Sequence, residues 1–525
     1  MRPRALKAVL LVASISTLAP SAAIRAEEPQ TAALYAEHCA SCHGVDRLGG
    51  TGPALLPENL GRLRAKQAIA VIAGGRAATQ MPAFGETLSE AEIAALGAFI
   101  HTPPDAPPVW GLDEIRESWR VDRQTADLVA APVFEADPLN LFVVVESGDH
   151  HVTILDGDKL EPIARFPSRF ALHGGPKFSP DGRFVYFASR DGWITKYDLY
   201  GLEVVAEIRA GINTRNLATS HDGRFVAVAN TLPHTVVMLD AEDLAPLAVI
   251  PAEDSRGRNS SRVSAVYQAA PRGSFIVALK DIPEIWEIPY AADAKPVFTG
   301  LVHSHEKGMT EALAGKDPFP IRRIEVSRPL DDFFFDPEYR HLFGSSREGG
   351  KAVVVHLDVG REIAEVPIGG LPHLGSGIAW AWQGRRVLAT PNLKEGAVTV
   401  IDMADWSVVK RIETLGPGFF LRSHEATPYA WTDVFFGPDR DAVHVIDKQS
   451  LEIVRTLRPE PGKTAAHVEF TRDGRYALVS IWEQDGAIVV YDAATLEEVK
   501  RLPMVKPSGK YNVFNKITLS DGTSH

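Results

Sequence analysis

The chain has few cysteines, no excess of positive charge and no apolar run long enough to cross a bilayer. Cys39 and Cys42 are the only cysteines among 525 residues, so the sequence does not encode a disulfide framework. The formal net charge of −12 argues against nucleic acid or an anionic membrane surface as the main partner, because both require a basic face. The apolar stretch at residues 8–19 is shorter than the ~20 residues that a spanning helix needs.

The N-terminus has the pattern of a secretory signal peptide. A basic start, residues 1–7, leads into the apolar stretch, and small residues at 21–23 and at Ala26 offer cleavage sites. The alternative is a single membrane anchor, which the length of the stretch disfavours. We therefore expect residues 1–26 to be removed and the mature protein to work in the periplasm without a transmembrane anchor.

The next segment is helical in pattern. Alanine-rich stretches at residues 31–37, 66–73 and 89–100 surround a loop rich in glycine and proline. Ser89 is a good N-cap, since acidic residues follow it in the first turn of the last stretch. The proline-rich residues 102–108 then end the pattern. These features predict a small all-α domain over residues 27–105 and a linker over residues 106–130.

Beyond the linker, short β-rich runs repeat one template, in which a turn precedes an apolar strand and a second strand ends near an aspartate. The clearest copies begin with Asp-Gly-Arg at Asp181, Asp222 and Asp473. A spacing of roughly 40 to 65 residues is typical of propeller blades. The copies predict an eight-bladed all-β propeller over residues 131–525, with residues 511–517 completing the first blade and closing the ring. Degenerate copies are centred on Gly273, Tyr339, Gly384 and Tyr429, and an incomplete one lies at residues 141–146.

The sequence Cys39-Ala-Ser-Cys42-His43 matches the attachment motif of a covalent haem c. The two thiols add to the haem vinyl groups, and the His43 imidazole reaches the iron. The alternatives are a chance match or a zinc site that lacks its other ligands. Over about residues 30–101 the chain resembles class I cytochromes c, and this resemblance makes Met81 the sixth iron ligand. The alternative for Met81 is plain core packing.

Several histidines occupy equivalent places in the propeller repeat. His173 and His467 lie just ahead of Asp-Gly-Arg turns, and His373 and His424 stand before degenerate copies. Such positions, at the start of an innermost strand, face the central channel of a propeller. Any one of them alone would be interpreted as a structural histidine with its hydrogen bonds satisfied. Several histidines directed at one axis favour a metal or cofactor site.

The propeller resembles the haem d1 domain of cytochrome cd1 nitrite reductase and of the related haem d1 assembly proteins. This resemblance implies a bound d1-type haem with His173 as its axial ligand. It also implies that Arg190, Arg215 and Arg262 pair with the carboxylates of that haem; the alternative for each arginine is a solvated surface charge. The segments that carry the resemblance are residues 172–173, 187–192, 236–246, 261–266, 372–377 and 507–515.

Departures from the reductase pattern point to the biosynthetic branch of the family. His373 matches one of the two histidines that nitrite reductases place above the d1 iron, whereas Asp331 stands where the other is expected. The tail, residues 516–525, also looks like the biosynthetic branch. The resemblance therefore implies a dehydrogenase that oxidises a propionate of dihydro-haem d1 to an acrylate. The alternatives are a nitrite reductase and a carrier that only binds haem d1.

The implied reaction assigns roles to the remaining candidates. His373 is a second iron ligand or a polar contact on the other face of the macrocycle. His467 and Tyr511 are the candidate proton acceptors, with the larger role for His467 because its ordinary pKa lies nearer neutrality. The expected partners are the tetrapyrrole substrate, a periplasmic electron acceptor that oxidises haem c, and nitrite reductase or other haem d1 assembly proteins.

Overall fold

The computed structural model describes residues 22–50, 52–61, 63–76, 81–294, 296–303, 310–314 and 317–524. Residues 1–21 of the predicted signal peptide, residues 1–26, lie outside these ranges. Within the ranges, no helix combines the length and the apolar character needed to cross a membrane.

The N-terminal domain is all-α, as predicted. Its last helix begins after Ser89, whose hydroxyl accepts a bond of 3.3 Å from the Glu92 amide, while the Glu92 carboxylate accepts one of 2.8 Å from the Ser89 amide. This reciprocal capping satisfies two amides that a helix start leaves without partners. The helices pack around a core that includes Tyr35, Leu60 and Leu96. Their bounds are Ala22–His38, Ala40–His43, Ala65–Gly74 and Glu90–Ile100.

Beyond the helical domain, the described residues form eight antiparallel sheets of at least four strands each, which we number as blades 1–8 in chain order. The predicted eight-bladed propeller is therefore confirmed. Alternating apolar residues from neighbouring blades pack face to face, so the core is a ring of clusters between blades. A separate hairpin, Phe298–His303 with Thr310–Ala314, lies outside the blades.

Every blade has its innermost strand at the channel and its later strands progressively further out. From the channel outwards, blade 1 comprises Pro507–Asn512, Leu141–Glu146, His151–Asp156 and Glu161–Pro167, and blade 2 comprises Lys177–Phe178, Phe184–Ala188, Trp193–Asp198 and Glu203–Arg209. Blade 3 comprises Asn213–Thr219, Phe225–Leu232, Thr235–Asp240 and Pro246–Pro251, and blade 4 comprises Val263–Ala269, Ser274–Leu279, Glu284–Pro289 and Arg322–Glu325. Blade 5 comprises Asp332–Phe335, His341–Ser345, Ala352–His356 and Arg361–Val366, and blade 6 comprises Ile378–Trp382, Arg385–Pro391, Ala397–Asp402 and Val408–Glu413. Blade 7 comprises Leu421–Ser423, Tyr429–Asp433, Val443–Asp447 and Glu452–Leu457, and blade 8 comprises Ala465–Phe470, Tyr476–Ile481, Ala487–Asp492 and Glu498–Pro503.

The ring closes through the C-terminal part of the chain, but by a segment shifted from the expected one. Pro507–Asn512 pairs with Leu141–Glu146 and is the innermost strand of blade 1. Only the first two residues of the predicted closing segment, 511–517, belong to this strand. Val513–Thr518 is a helix, because the Asn512 side chain accepts a bond of 3.2 Å from the Asn515 amide and caps it.

The segment predicted as a linker is packed against the propeller. It contains the helix Leu112–Ser118 and the strand Arg120–Val121, which adds a fifth strand to blade 2. The Trp110 indole donates a bond of 3.0 Å to the Arg209 carbonyl. The Asn59 amide of the helical domain also donates to a carbonyl at the start of blade 3, that of Ile212, over 3.2 Å. The two domains therefore contact each other directly.

Candidate functional sites

The Cys39, Cys42 and His43 side chains are brought together by one short helix, Ala40–His43, that begins directly after Cys39. His43 is buried, and its Nδ1 lies 2.7 Å from the Pro53 carbonyl oxygen. This bond places the ring proton on Nδ1 and leaves the Nε2 lone pair for an iron. Gly52 packs so closely that a Cβ there would lie 2.7 Å from His43 Cε1, so a larger residue would displace the ring.

These residues fit a covalent haem c. Burial and the neighbouring Cys42 raise the pKa of the Cys39 thiol to about 11, and neither thiol forms a disulfide. The part of the chain that the structure describes holds no group of three or more histidine, cysteine or acidic side chains that could bind a metal, which leaves the zinc alternative without further ligands. Met81 is half-buried and packs against the core of the same domain. Its role as the sixth ligand stays a prediction.

The propeller candidates surround the central channel. All eight innermost strands run in the same direction, so their amino ends meet at one mouth of the channel and their carboxyl ends at the other. We call these the amino mouth and the carboxyl mouth. His173 and His373 both precede innermost strands, in blades 2 and 6, and therefore lie at the amino mouth.

His173 and His373 are oriented by the same device. His173 Nδ1 lies 2.7 Å from the Arg215 carbonyl oxygen, and His373 Nδ1 lies 2.6 Å from the Phe419 carbonyl oxygen. Each bond directs the proton to Nδ1 and makes Nε2 the nitrogen that can ligate or accept a proton. Burial lowers the pKa of His373, so this ring is neutral at neutral pH, as an iron ligand must be.

The three predicted carboxylate-binding arginines differ in their surroundings. Arg215 lies against His173, with its Nη1 3.4 Å from the ring, and donates from Nε to the Ser264 carbonyl over 2.9 Å. Arg262 is half-exposed and already forms a bidentate pair with Asp281, with bonds of 2.9 and 2.5 Å. A ligand carboxylate at Arg262 would have to replace Asp281. Arg190 follows the second strand of blade 2 and donates its backbone amide to Ala171 over 3.1 Å.

His467 and Tyr511 adjoin each other, as expected from ring closure. Their rings are 5.0 Å apart and steeply inclined to each other, at 69°. His467 is 1% exposed, and its Nε2 has no hydrogen-bond partner among the described residues. Burial, together with the charges of Lys510 and other cations, holds the pKa of His467 well below its ordinary value, so the ring is unprotonated at neutral pH. Burial raises the pKa of Tyr511 to about 12.

Sequence reasoning missed a set of buried charges around this pair. Arg422, Asp433, Glu469 and Lys510 are each at most 3% exposed. Asp433 accepts backbone bonds from Phe419, Phe420 and His467, and burial still raises its pKa to about 6. The sequence could have indicated them by their position in the repeat. Arg422, Glu469 and Lys510 occupy innermost strands, where charged residues are unusual.

Two further sequence interpretations are resolved by geometry. His424 follows its innermost strand instead of preceding it, and both ring nitrogens bond to the backbone of Arg472 and Ala426. It is therefore a structural histidine away from the amino mouth. Asp331 forms ion pairs with Lys280 at 2.6 Å and with Arg347 at 2.8 Å. Two cations therefore hold this carboxylate in place.

A cavity of about 500 Å³ lies at the carboxyl mouth. It is lined by residues at the ends of innermost strands, including Gln268 and Phe335, and by the C-terminal tail from Lys516 to Ser524. Because it lies at the opposite mouth from His173 and His373, it is distinct from the candidate tetrapyrrole site.

Comparison with known proteins agrees with this geometry. The cytochrome D1 heme domain family matches residues 136–308 and 301–516, and the cbb3-type cytochrome c oxidase subunit III family matches residues 26–100. The chain is 58% identical over 501 residues to the dihydro-heme d1 dehydrogenase of Pseudomonas aeruginosa, covering 95% of this chain and 97% of that one. It is 26% identical to the nitrite reductase of Stutzerimonas stutzeri, covering 97% of this chain and 98% of that one.

A solved structure is similar along almost the whole chain. The dihydro-heme d1 dehydrogenase NirN in complex with DHE matches with a TM-score of 0.86 and 59% identity, covering 92% of this chain and 99% of that chain. The family match to the propeller exceeds half of the chain, and the match to the helical domain covers the Cys39 motif. The protein therefore belongs to the cytochrome D1 heme domain family, with an N-terminal cytochrome c domain.

Proposed function

We propose that this protein is a periplasmic dihydro-haem d1 dehydrogenase, which oxidises a propionate side chain of its tetrapyrrole to an acrylate. The observation that carries the proposal is the convergence at one channel of His173 and His373, each oriented through Nδ1, and of the buried pair His467 and Tyr511. The near full-length similarity to a dihydro-heme d1 dehydrogenase supports it.

The reaction converts a CH₂–CH₂ pair into CH=CH and releases two protons and two electrons. The two protons can leave one after the other through His467, which passes the first on before it accepts the second; Tyr511 beside it keeps its phenol proton at neutral pH, because burial raises its pKa to about 12, and can only relay a proton. His467 is unprotonated at neutral pH, which a proton acceptor requires. His467 can accept a proton at Nε2 only if its own ring proton is on Nδ1. In that tautomer Nδ1 no longer accepts the weak bond of 3.5 Å from the Lys510 amide.

His173 and His373 hold the substrate iron from the amino mouth in this proposal, His173 as axial ligand and His373 on the other face. Arg190, Arg215 and Arg262 meet substrate carboxylates, since a guanidinium binds a carboxylate with two parallel bonds. Cys39 and Cys42 would attach haem c, with His43 and Met81 as its iron ligands, and the bound group would supply a one-electron acceptor that an external periplasmic protein could reoxidise.

We also propose how the chain is processed and divided into domains. Residues 1–26 are a cleaved signal peptide, 27–105 the cytochrome c domain, 106–130 the connection and 131–525 the propeller. The product is a cofactor for other proteins, so nitrite reductase and the haem d1 assembly proteins are the expected partners for release.

The test is a mass measurement on the pigment itself. The purified protein is incubated with dihydro-haem d1 and an electron acceptor, and the tetrapyrrole is extracted. We expect a loss of two hydrogen atoms from the substrate and slow consumption of nitrite. An unchanged mass together with fast nitrite turnover would identify a nitrite reductase, and an unchanged mass with tight binding alone would identify a carrier.

A further inference from the structure

Arg422 is a buried arginine that the described residues leave largely unpaired. It is 3% exposed and lies on the innermost strand of blade 7. Its Nη1 donates to the neighbouring Leu421 carbonyl over 2.7 Å. Among the described residues, Nε has no hydrogen-bond partner and the guanidinium forms no ion pair. Burying a charged group without a hydrogen-bonded partner costs several kcal/mol, so such an arrangement calls for a ligand.

Arg422 lies on the innermost strand of blade 7, which packs against the innermost strand of blade 8, Ala465–Phe470, where His467 lies. The Arg422 guanidinium interacts electrostatically with His373 of blade 6, His467 of blade 8 and Tyr511 of blade 1. It also interacts with Lys177 of blade 2. The ring of Phe420, two residues before Arg422, lies 4.5 Å from the His467 ring, which in turn lies 5.0 Å from the Tyr511 ring. Arg422 therefore lies among the candidate proton acceptors.

The unoccupied edge of Arg422 has the geometry that a carboxylate prefers. With Nη1 bonded to the backbone, Nε and Nη2 remain as two parallel donors, and this side of a guanidinium binds both oxygens of a carboxylate. The acidic residues Glu469 and Asp433 also face Arg422. Asp433 accepts three backbone bonds and Glu469 Oε1 accepts from Asn515 and Phe470, whereas Glu469 Oε2 is buried without a hydrogen-bond partner among the described residues. They balance the charge of Arg422 without occupying its donors.

We propose that Arg422 binds the carboxylate of the side chain that is oxidised and thereby positions its two saturated carbons beside His467 and Tyr511. This inference rests on the proposed function, because the reacting propionate carries such a carboxylate. Arg422 acts as a positioning residue: it contacts the substrate at the carboxylate and takes no part in the proton transfers. Iron ligation and the other arginines hold the macrocycle, whereas Arg422 sets the reacting side chain.

The experiment compares Arg422→Ala and Arg422→Lys with the full-length wild type. The control is Arg385→Gln, which removes an outward charge of blade 6 that is paired with Asp402. For each variant, absorbance titration gives the dissociation constant of dihydro-haem d1, and single-turnover reduction of haem c gives the rate at saturating tetrapyrrole. We expect Arg422→Ala to slow the single turnover about tenfold to a hundredfold, as for a lost charge-assisted bond, with a smaller change in affinity. Added guanidinium ions should restore part of the rate.

Arg422→Lys keeps the buried charge but loses the two-donor edge. This variant should fold, and its single-turnover rate should lie between those of the wild type and Arg422→Ala. An unchanged rate in either folded variant would overturn the inference. Equal loss in both variants without guanidinium rescue would also overturn it, since packing alone would then explain the effect. Extraction and mass measurement of the wild-type product report on the proposed function separately: no loss of hydrogen there refutes the dehydrogenase itself.

Discussion

The sharpest prediction concerns His467 and is best made with His467→Asn. His467 has a φ of 52°, in the left-handed region, where asparagine is one of the few tolerated side chains. His467→Asn therefore keeps the backbone and removes the imidazole. We predict that the variant binds dihydro-haem d1 with nearly normal affinity, because the proposed iron ligand His173 is untouched, but that it oxidises the substrate slowly.

The magnitude follows from the environment of the ring. A positioned general base contributes ~10²–10⁴-fold to rate, or about 3–5 kcal/mol of activation free energy. The ring also packs against Phe420 at 4.5 Å and Tyr511 at 5.0 Å. Each aromatic pair stabilises by ~0.5–1.5 kcal/mol, so the free energy of unfolding should fall by ~1–3 kcal/mol. His467→Ala would add strain of ~1–2 kcal/mol at this φ, which makes it the less informative variant.

The assay is the first reduction of haem c after mixing with dihydro-haem d1, since haem c takes the two electrons of each substrate one at a time and an added one-electron acceptor takes the other. Thermal unfolding monitored in the same variant separates lost stability from lost chemistry. Tyr511→Phe is the matched comparison, because it removes only a hydroxyl from the neighbouring ring. A folded His467→Asn variant that reduces haem c at the wild-type rate would refute the proton-acceptor role of His467. A slow Tyr511→Phe variant beside it would instead indicate proton transfer through the Tyr511 hydroxyl as a relay.

Three further predictions concern the haem ligands and one buried acid. Met81→Ala should abolish the weak sulfur-to-iron absorption band and lower the haem c potential, and an unchanged spectrum would mean that another residue is the sixth ligand. His173→Ala should lose the tetrapyrrole while haem c keeps its spectrum; normal retention of the pigment would make His373 the axial ligand instead. Burial raises the pKa of Asp433 from 3.8 to about 6. Between these two values the folded state binds more protons than the unfolded state, so this group contributes a loss of stability of ~3 kcal/mol as pH rises from about 4 to about 6. Denaturant unfolding of Asp433→Asn should lack that part of the pH dependence, and an identical profile would show that Asp433 ionises normally.

Features whose causes are local could be predicted from the sequence. Cys39, Cys42 and His43 fall within five residues, so one helical turn brings them together in any fold that contains it. The Ser89 capping box and the alternating strands of the repeat are equally local, because they depend on backbone periodicity and on neighbours three or four positions away. For this reason the helices of the small domain and the number of blades were predictable.

The histidines of the channel were predictable through the repeat. Because every blade copies one template, the place of His173 or His373 in its copy fixed its place at the amino mouth. The same reasoning failed for His424, since a degenerate copy shifted the boundary of its innermost strand by a few residues and moved the side chain past the strand. It also misplaced the closing strand, because the Asn512 cap competes with sheet extension and starts a helix.

The electrostatics of the site arise only when the ring is closed. Arg422, Glu469 and Tyr511 lie on different blades, and ring closure brings them to one axis. Nothing in their sequence neighbourhoods reveals that they are buried together, that Nε of Arg422 lacks a partner among the described residues, or that the Phe419 carbonyl orients His373. Charge and hydrogen-bond energies depend on distance and burial in space, and those two quantities are properties of the closed ring rather than of any single segment.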